Sequence, residues 1–158
     1  AGYWVRAAGD VNGDGLDDLF AGAWAADPHG LGSGSAYVVF GKLDAAPVNL
    51  DDVAAGIGGF VLHGVAASDY TSQRAAAGVG DVNGDGLDDV AVGARLSSAN
   101  GNWSGRGYVV YGKTDTEAVE LSEVAVGIGG FSLVAEGASH QLGSAIAAGG
   151  DVNGDGAL

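Results

Sequence analysis

The sequence contains no cysteine and only two prolines, and it has six basic residues against twenty acidic ones. Without cysteine, neither a disulfide framework nor a thiolate nucleophile is available. The six Lys and Arg residues are scattered singly, which disfavours binding to nucleic acid through phosphate contacts and to an anionic membrane surface. No stretch approaches the roughly 18 uninterrupted apolar residues of a spanning helix, so membrane insertion is not expected.

Half of the acidic residues belong to one repeated nonapeptide. It runs from Asp10 to Asp18, recurs letter for letter from Asp81 to Asp89, and begins again at Asp151. Oxygen-bearing side chains stand at positions 1, 3, 5 and 9, and glycines stand at positions 4 and 6. Alternate side chains point inward in such a loop, and the glycines permit its tight turn. The pattern therefore predicts a loop that wraps a hard cation.

Calcium is the predicted ion, because magnesium requires stricter octahedral geometry and loses its waters reluctantly. The predicted ligands are positions 1, 3, 5 and 9 through side chains and position 7 through its carbonyl: Asp10, Asn12, Asp14, Leu16 and Asp18; Asp81, Asn83, Asp85, Leu87 and Asp89; and Asp151, Asn153, Asp155 and Ala157. Asp17 and Asp88, at position 8, are expected to point away from the metal and to face solvent. Asn-Gly and Asp-Gly pairs also form polar turns without a metal, but turn formation alone does not require the same four oxygen positions twice.

The loop is not an EF-hand. An EF-hand needs a bidentate Glu at position 12 and a helix on each side. Position 12 is Ala21 in the first copy and Val92 in the second, and neither side chain can bind a metal. The following segments, 18–23 and 89–94, are short apolar runs without a helical period. A calcium loop joining two antiparallel strands is the better prediction.

The whole chain repeats with a period of about 70 residues. Tyr37-Val38-Val39-Phe40-Gly41-Lys42 returns at 108–113, and the Gly-Gly-Phe segment at 58–60 returns at 129–131. Each unit offers four strand candidates, namely 5–9, 18–23, 37–42 and 60–63 in the first, and 75–80, 89–94, 108–113 and 131–134 in the second. Residues 49–56 and 120–127 suit a short helical turn. Four strands at a fixed long period predict an all-β fold of antiparallel β-propeller blades with calcium-binding hairpin loops.

The motif resembles the FG-GAP repeat of the integrin α-subunit propeller. The resemblance rests on Leu142-Gly143-Ser144-Ala145-Ile146-Ala147 followed by Gly150-Asp151-Val152-Asn153-Gly154-Asp155-Gly156. It is closer to the long repeats of bacterial surface and secreted proteins, which share the full metal-loop string and the Tyr-Val-Val-Phe-Gly-Lys strand. The resemblance implies one blade over 1–71, a second over 72–141 and the start of a third over 142–158, all within one larger propeller. It also implies calcium binding through the same alternate positions.

Catalysis finds little support in the sequence, so an enzyme is not predicted. His29, His63 and His140 lie at unrelated phases of the repeat, and no serine lies in a nucleophile-elbow context. The pairs Asp17-Asp18 and Asp88-Asp89 suggest a glycosidase, but their place inside metal loops favours a ligand and its neighbour. Three tryptophans, Trp4, Trp24 and Trp103, either fill space between blades or stack on sugar rings.

We therefore expect a non-catalytic, calcium-binding propeller segment that mediates adhesion or protein interaction. The alternative is an accessory or carbohydrate-binding propeller of a larger secreted enzyme. The partner is a protein or glycan that the sequence does not identify. Millimolar extracellular calcium suits such loops, so an extracellular or cell-surface location is expected. Two blades cannot close a ring, so closure is expected from the rest of a longer chain or from homo-oligomerisation.

Overall fold

The computed structural model describes residues 2–149, which form nine strands and two short helices. The elements of the first unit are β1 (Val5–Gly9), β2 (Asp18–Ala23), β3 (Ser35–Val39), α1 (Leu50–Ala54) and β4 (Gly59–His63). Those of the second are β5 (Ala76–Gly80), β6 (Asp89–Ala94), β7 (Arg106–Val110), β8 (Val119–Glu120), α2 (Leu121–Val124) and β9 (Gly130–Val134). The eight predicted strands and both helical turns are present, but the third strand of each unit begins two residues earlier and ends three residues earlier than predicted.

Each unit folds as one antiparallel sheet in which neighbours in sequence are neighbours in space. The first sheet has the order β1-β2-β3-β4, and the second has the order β5-β6-β7-β9. This is the up-and-down arrangement of a propeller blade, so the predicted all-β fold of antiparallel blades is confirmed.

The first sheet also contains a fifth strand, which the sequence did not predict. β8 comes from the second unit and pairs parallel to β4, with Leu62 opposite Val119 and His63 opposite Glu120. Glu120 also lies 2.7 Å from His29 Nε2 through its own Oε2. The second unit therefore crosses back and attaches its helical connection to the outer edge of the first sheet.

The hydrophobic core lies between the two sheets. Phe20, Val38 and Phe60 are cross-strand neighbours on one face of the first sheet, and all three are fully buried. They belong to the same buried cluster as Val90, Val92 and Val110 of the second sheet. Because side chains alternate along a strand, each sheet needs a neighbour to cover this face. The two sheets provide that cover for each other.

The innermost strands β1 and β5 approach closely where the sheets meet. A methyl group added to Gly78 would collide with the carbonyl oxygen of Ala8. The residue at the corresponding place in β1 is Ala7, whose side chain is exposed. Glycine therefore occurs where backbone of the neighbouring unit leaves no room for a side chain.

Stacking two sheets leaves one apolar face open on each side of the pair. Phe60 and Leu62 are 0% exposed, whereas the corresponding Phe131 and Leu133 of the second sheet are 39% and 52% exposed. On the opposite side, Leu19 is 50% exposed, while its counterpart Val90 is 0% exposed. Each open face therefore presents apolar side chains at positions that correspond to residues covered between the units.

The close contact at Gly78 predicts that Gly78→Ala destabilises the packing of the two sheets. The added methyl group must displace backbone rather than a flexible side chain, so we expect a loss of about 1–3 kcal/mol in the free energy of unfolding. Urea unfolding followed by circular dichroism measures it.

The matched control is Gly137→Ala, because no atom lies within 4 Å of a methyl group added there. We expect that variant to stay within about 0.5 kcal/mol of the parent. Equal losses in the two variants would contradict the close approach of β1 and β5.

Candidate metal centre

The first residue of each described loop organises the loop backbone. Asp10 Oδ1 accepts hydrogen bonds from the N–H groups of Gly13 (2.8 Å) and Asp14 (3.0 Å), and its Oδ2 accepts one from Gly15 (2.9 Å). Asp81 accepts the same three bonds from positions 4, 5 and 6 of the second copy, over distances of 2.7 to 3.1 Å. These bonds draw the chain into a tight turn.

Two glycines allow the backbone to follow this turn. The loop glycines Gly13 and Gly15 have φ angles of 77° and 88°, and their counterparts in the second copy have 79° and 91°. This left-handed region is open to glycine without steric cost. The glycines at positions 4 and 6 thus have the role that the sequence predicted for them.

Positions 3 and 5 form a second set of contacts inside the loop. Asn12 Oδ1 accepts from the Asp14 N–H (2.9 Å), and Asp14 Oδ1 accepts from the Leu16 N–H (2.9 Å). Asn12 Nδ2 also donates to Asp14 Oδ2 (3.0 Å). The bonds recur at the same positions of the second copy, between Asn83, Asp85 and Leu87. Identical sequence therefore gives the same local network twice.

The carboxylate at position 9 is buried and accepts hydrogen bonds from the start of its own loop and from a neighbouring segment. Asp18 is 0% exposed, and its two oxygens accept hydrogen bonds from Val11 N–H (2.9 Å) and Gly41 N–H (2.8 Å). Asp89 is equally buried and accepts from Val82 and Gly112 at the same distances. The position-9 side chain thus connects its own loop to the segment that follows the third strand of the unit.

The position-9 carboxyl lies near the other acids of its loop. Burial raises the pKa of Asp18, the amide bonds from Gly41 and Val11 oppose that effect, and the charges of Asp14 and Asp10 raise the pKa further. Burial likewise raises the pKa of Asp89, and Asp85 and Asp81 add to it. The three acidic groups in each loop therefore repel one another. An added cation would offset this repulsion.

The donor set fits a hard divalent cation, since it consists of carboxylate, amide and carbonyl oxygens. In residues 2–149, however, no group of three or more His, Asp or Glu side chains is arranged as a ready metal site. The loop carboxylates bond to loop amides instead. The predicted ligands of the first two copies lie together in one loop each, whereas Asp151, Asn153, Asp155 and Ala157 lie outside the described residues. Calcium binding remains a prediction.

Gly41 and Gly112 contact the predicted loops through Asp18 and Asp89, and the metal-loop pattern did not identify them. A methyl group at Gly41 would meet the Asp17 carbonyl oxygen at 2.7 Å, and one at Gly112 would meet Leu87 Cβ at 2.5 Å. The signal was present in the sequence, because the Gly-Lys pair returns after the third strand of each unit. Its connection to the metal loop became visible only in three dimensions.

Asp88 corrects the expectation that both position-8 acids face solvent. Its Oδ2 accepts a hydrogen bond from the backbone N–H of Asp10 (2.8 Å), and its own N–H donates to the Asp10 carbonyl (3.0 Å). The Lys113 N–H donates to the Val11 carbonyl nearby (3.0 Å). The first metal loop is therefore attached to the second unit. Asp17, the counterpart of Asp88, is exposed as predicted.

The three tryptophans have different environments. Trp4 packs edge-on against Phe20, with ring centroids 5.6 Å apart, and donates its indole N–H to the Ser72 carbonyl (2.6 Å). Trp24 packs against Tyr70 at 5.6 Å. Trp103 is 50% exposed. The space-filling interpretation therefore holds for Trp4, while Trp103 presents an open aromatic surface.

No helix within residues 2–149 has the length and apolar character needed to cross a bilayer.

Residues 74–110 match the FG-GAP repeat. Phosphatidylinositol-glycan-specific phospholipase D of Rattus norvegicus is 38% identical over an alignment of 115 residues, which covers 69% of this chain and 13% of that protein. The Mus musculus protein of the same name is 37% identical over 112 residues, again 69% of this chain and 13% of the relative. The chain thus spans a small part of the curated relatives it matches.

The contact between Asp88 and Asp10 predicts unequal effects of two chemically identical substitutions. Asp88→Ala removes the acceptor of a partly buried, charge-assisted hydrogen bond, so we expect a loss of about 1–2 kcal/mol in the free energy of unfolding. Asp17→Ala alters an exposed acid in the same nonapeptide and should change that free energy by less than about 0.5 kcal/mol.

Urea unfolding in the presence of chelator isolates this contact from metal binding. A loss from Asp17→Ala as large as that from Asp88→Ala would show that the attachment of the first loop to the second unit is not a stabilising contact.

Proposed function

We propose that this chain, which belongs to the FG-GAP repeat family, is a non-catalytic, calcium-binding propeller segment that mediates adhesion or protein interaction outside the cell. The observation that carries the proposal is the repeated loop, in which the predicted ligands, namely three of its four carboxylates, one amide oxygen and a backbone carbonyl, occur within nine residues. Calcium would be held by Asp10, Asn12, Asp14, the Leu16 carbonyl and Asp18, and by the corresponding residues from Asp81 to Asp89. The bound ion would supply positive charge that offsets the repulsion between the loop acids.

Calcium would act on structure rather than on a reaction. The loops join the first two strands of each blade, and the first loop also contacts the second blade through Asp88 and Lys113. Stiffening the loops would therefore stiffen the packing between blades. A ligand that binds only the folded state stabilises it by mass action.

The interaction surface would lie at the end of the blades opposite the metal loops. In an antiparallel sheet, alternate connections leave at opposite ends. The connections β2–β3, β4–β5 and β6–β7 therefore share the end away from residues 10–17 and 81–88. They are also free to vary, because the metal does not constrain their sequence. Millimolar calcium outside cells would keep sites of extracellular type occupied.

The open faces of the two sheets would be covered by further blades of the same kind. The exposed Phe131 and Leu133 correspond to residues that the second sheet buries on the first, so the interface already seen within the chain provides the template. Further blades of a longer polypeptide, or further copies of this chain, would continue that stacking. Head-to-tail contacts of this kind close into a ring when the rotation from one blade to the next divides a full turn.

A second candidate function is that of an accessory or carbohydrate-binding propeller in a larger secreted enzyme. The observation in its favour is the similarity to phosphatidylinositol-glycan-specific phospholipase D, confined to 13% of that protein's length. A match of this extent assigns no reaction to the present chain. Under this candidate, the chemistry would belong to another domain of a longer polypeptide.

Calorimetric titration tests the metal proposal directly. We expect calcium to bind with a dissociation constant on the order of 10⁻⁴ M, as in weak extracellular sites, and to raise the melting temperature. Asp14→Ala and Asp85→Ala should each remove one equivalent of bound calcium, because each removes an interior carboxylate from one loop.

The matched control is Asp17→Ala, which removes the same charge from an exposed position in the first loop and should retain the full stoichiometry. If the parent chain binds no calcium at millimolar concentration, and chelator leaves its melting curve unchanged, the metal proposal is wrong.

A further inference from the structure

A cavity of about 580 Å³ lies between the two units. It is formed by the β4–β5 connection and the β6–β7 connection, so it opens at the end opposite the metal loops. Its lining comes from both units and includes Asp69, Ser97, Asn102, Trp103, Arg106 and Tyr108. The volume falls within the roughly 300–1,000 Å³ of small-molecule sites.

Two polar atoms in the lining of this cavity lack hydrogen-bond partners within the described part of the chain. Tyr108 is 1% exposed, and its hydroxyl makes no hydrogen bond there. The buried Nε of Arg106 is likewise unpaired, and the Arg106 Cζ lies 5.9 Å from the centroid of the Tyr108 ring. Burial raises the pKa of Tyr108 to about 12, and the neighbouring Arg106 opposes this through its charge and its contact with the hydroxyl. That contact does not have the geometry of a good hydrogen bond for either atom, so both atoms can take a better-placed partner. Both atoms are closed to solvent, so a ligand carrying hydroxyl groups would pair with them once the Arg106 side chain moves aside.

Trp103 forms an aromatic wall of the cavity at an unusual backbone position. Its φ angle is 54°, a left-handed value that disfavours residues with a side chain. The corresponding residue of the first unit is Gly32, with a φ of 67°. The second unit therefore places the largest side chain where the first has none, and half of that side chain remains exposed.

The charges in the cavity compensate each other. Asp69 is 6% exposed and lies on the wall together with Arg106. Burial raises the pKa of Asp69, while hydrogen bonds from the Ala66 backbone and the Ser97 side chain, together with the positive charge of Arg106, act in the opposite direction. A carboxylate and a guanidinium together provide acceptors and donors with little net charge. This balance suits a neutral, hydroxyl-rich ligand better than a phosphate or an ammonium group.

The repeat itself does not require this lining. Arg106 and Trp103 correspond to Ser35 and Gly32 in the first unit, and only Tyr108 has a counterpart of the same type, Tyr37. The blade therefore folds in the first unit without the Arg and Trp side chains. Their presence in the second unit calls for an explanation other than the fold.

We propose that the cavity between the units binds a neutral saccharide residue of a glycan. Trp103 stacks on the sugar ring, and Tyr108, Arg106 and Asp69 exchange hydrogen bonds with its hydroxyl groups. The proposal rests on the second candidate function and specifies its site.

The test is a glycan array of neutral mono- and disaccharides, probed with the 158-residue chain in calcium and followed by calorimetric titration of each saccharide that binds. We expect at least one neutral saccharide to bind. Tyr108→Phe, which removes only the hydroxyl, should weaken its affinity by about fivefold to tenfold, the value of one hydrogen bond. Trp103→Gly should weaken it at least as much while restoring the residue that the first unit has at this φ.

The matched control is Tyr37→Phe, the same change at the counterpart in the first unit, which should leave saccharide affinity unchanged. Saccharide binding that survives both Tyr108→Phe and Trp103→Gly would overturn this site while leaving a carbohydrate-binding role in place. No binding by any neutral saccharide, in a chain whose calcium titration is normal, would overturn the site and the carbohydrate role together, and would leave the metal proposal intact.

Discussion

The structure depends most on the buried carboxylate at position 9 of each loop. Asp18 and Asp89 are inaccessible to solvent, and a buried charge is costly unless hydrogen bonds satisfy it. Each accepts one amide from its own loop and one from the glycine after the third strand. A carboxylate has further lone pairs beyond those two. Asp18 and Asp89, which attach the loops to the sheets, therefore keep free lone pairs that a cation could use.

The same loops connect local order to blade stacking. Asp88 and Lys113 hold the backbone of Asp10 and Val11, at the start of the first metal loop, and Lys113 Nζ also lies 5.0 Å from the centroid of the Phe60 ring in the core. A change in the first loop therefore reaches the contact between blades within a few bonds. This is a physical reason for the proposed calcium site to lie at a junction where no disulfide is available.

Much of the fold followed from spacing, because each blade is built from short local hairpins. The period of about 70 residues placed the strands of both units, and the glycines and oxygens of the nonapeptide predicted the turn. What the sequence could not indicate was contact between units. Asp17 and Asp88 occupy identical nonapeptides, yet only Asp88 faces a neighbouring blade. β8 was missed for the same reason, since its partner β4 belongs to the other unit.

The two ends of the blades differ in how closely the units agree. At the metal end the nonapeptide is identical in both complete copies, because each oxygen and glycine has a defined role in the turn. At the other end the sequences differ: Leu31-Gly32 of the first unit corresponds to Asn102-Trp103 of the second, and Ser35 corresponds to Arg106. Each unit nevertheless forms a four-stranded sheet of the same strand order, so folding does not require the residues that differ. The cavity lined by Trp103 and Arg106 lies at this variable end, where the scaffold permits side chains to be chosen for a ligand.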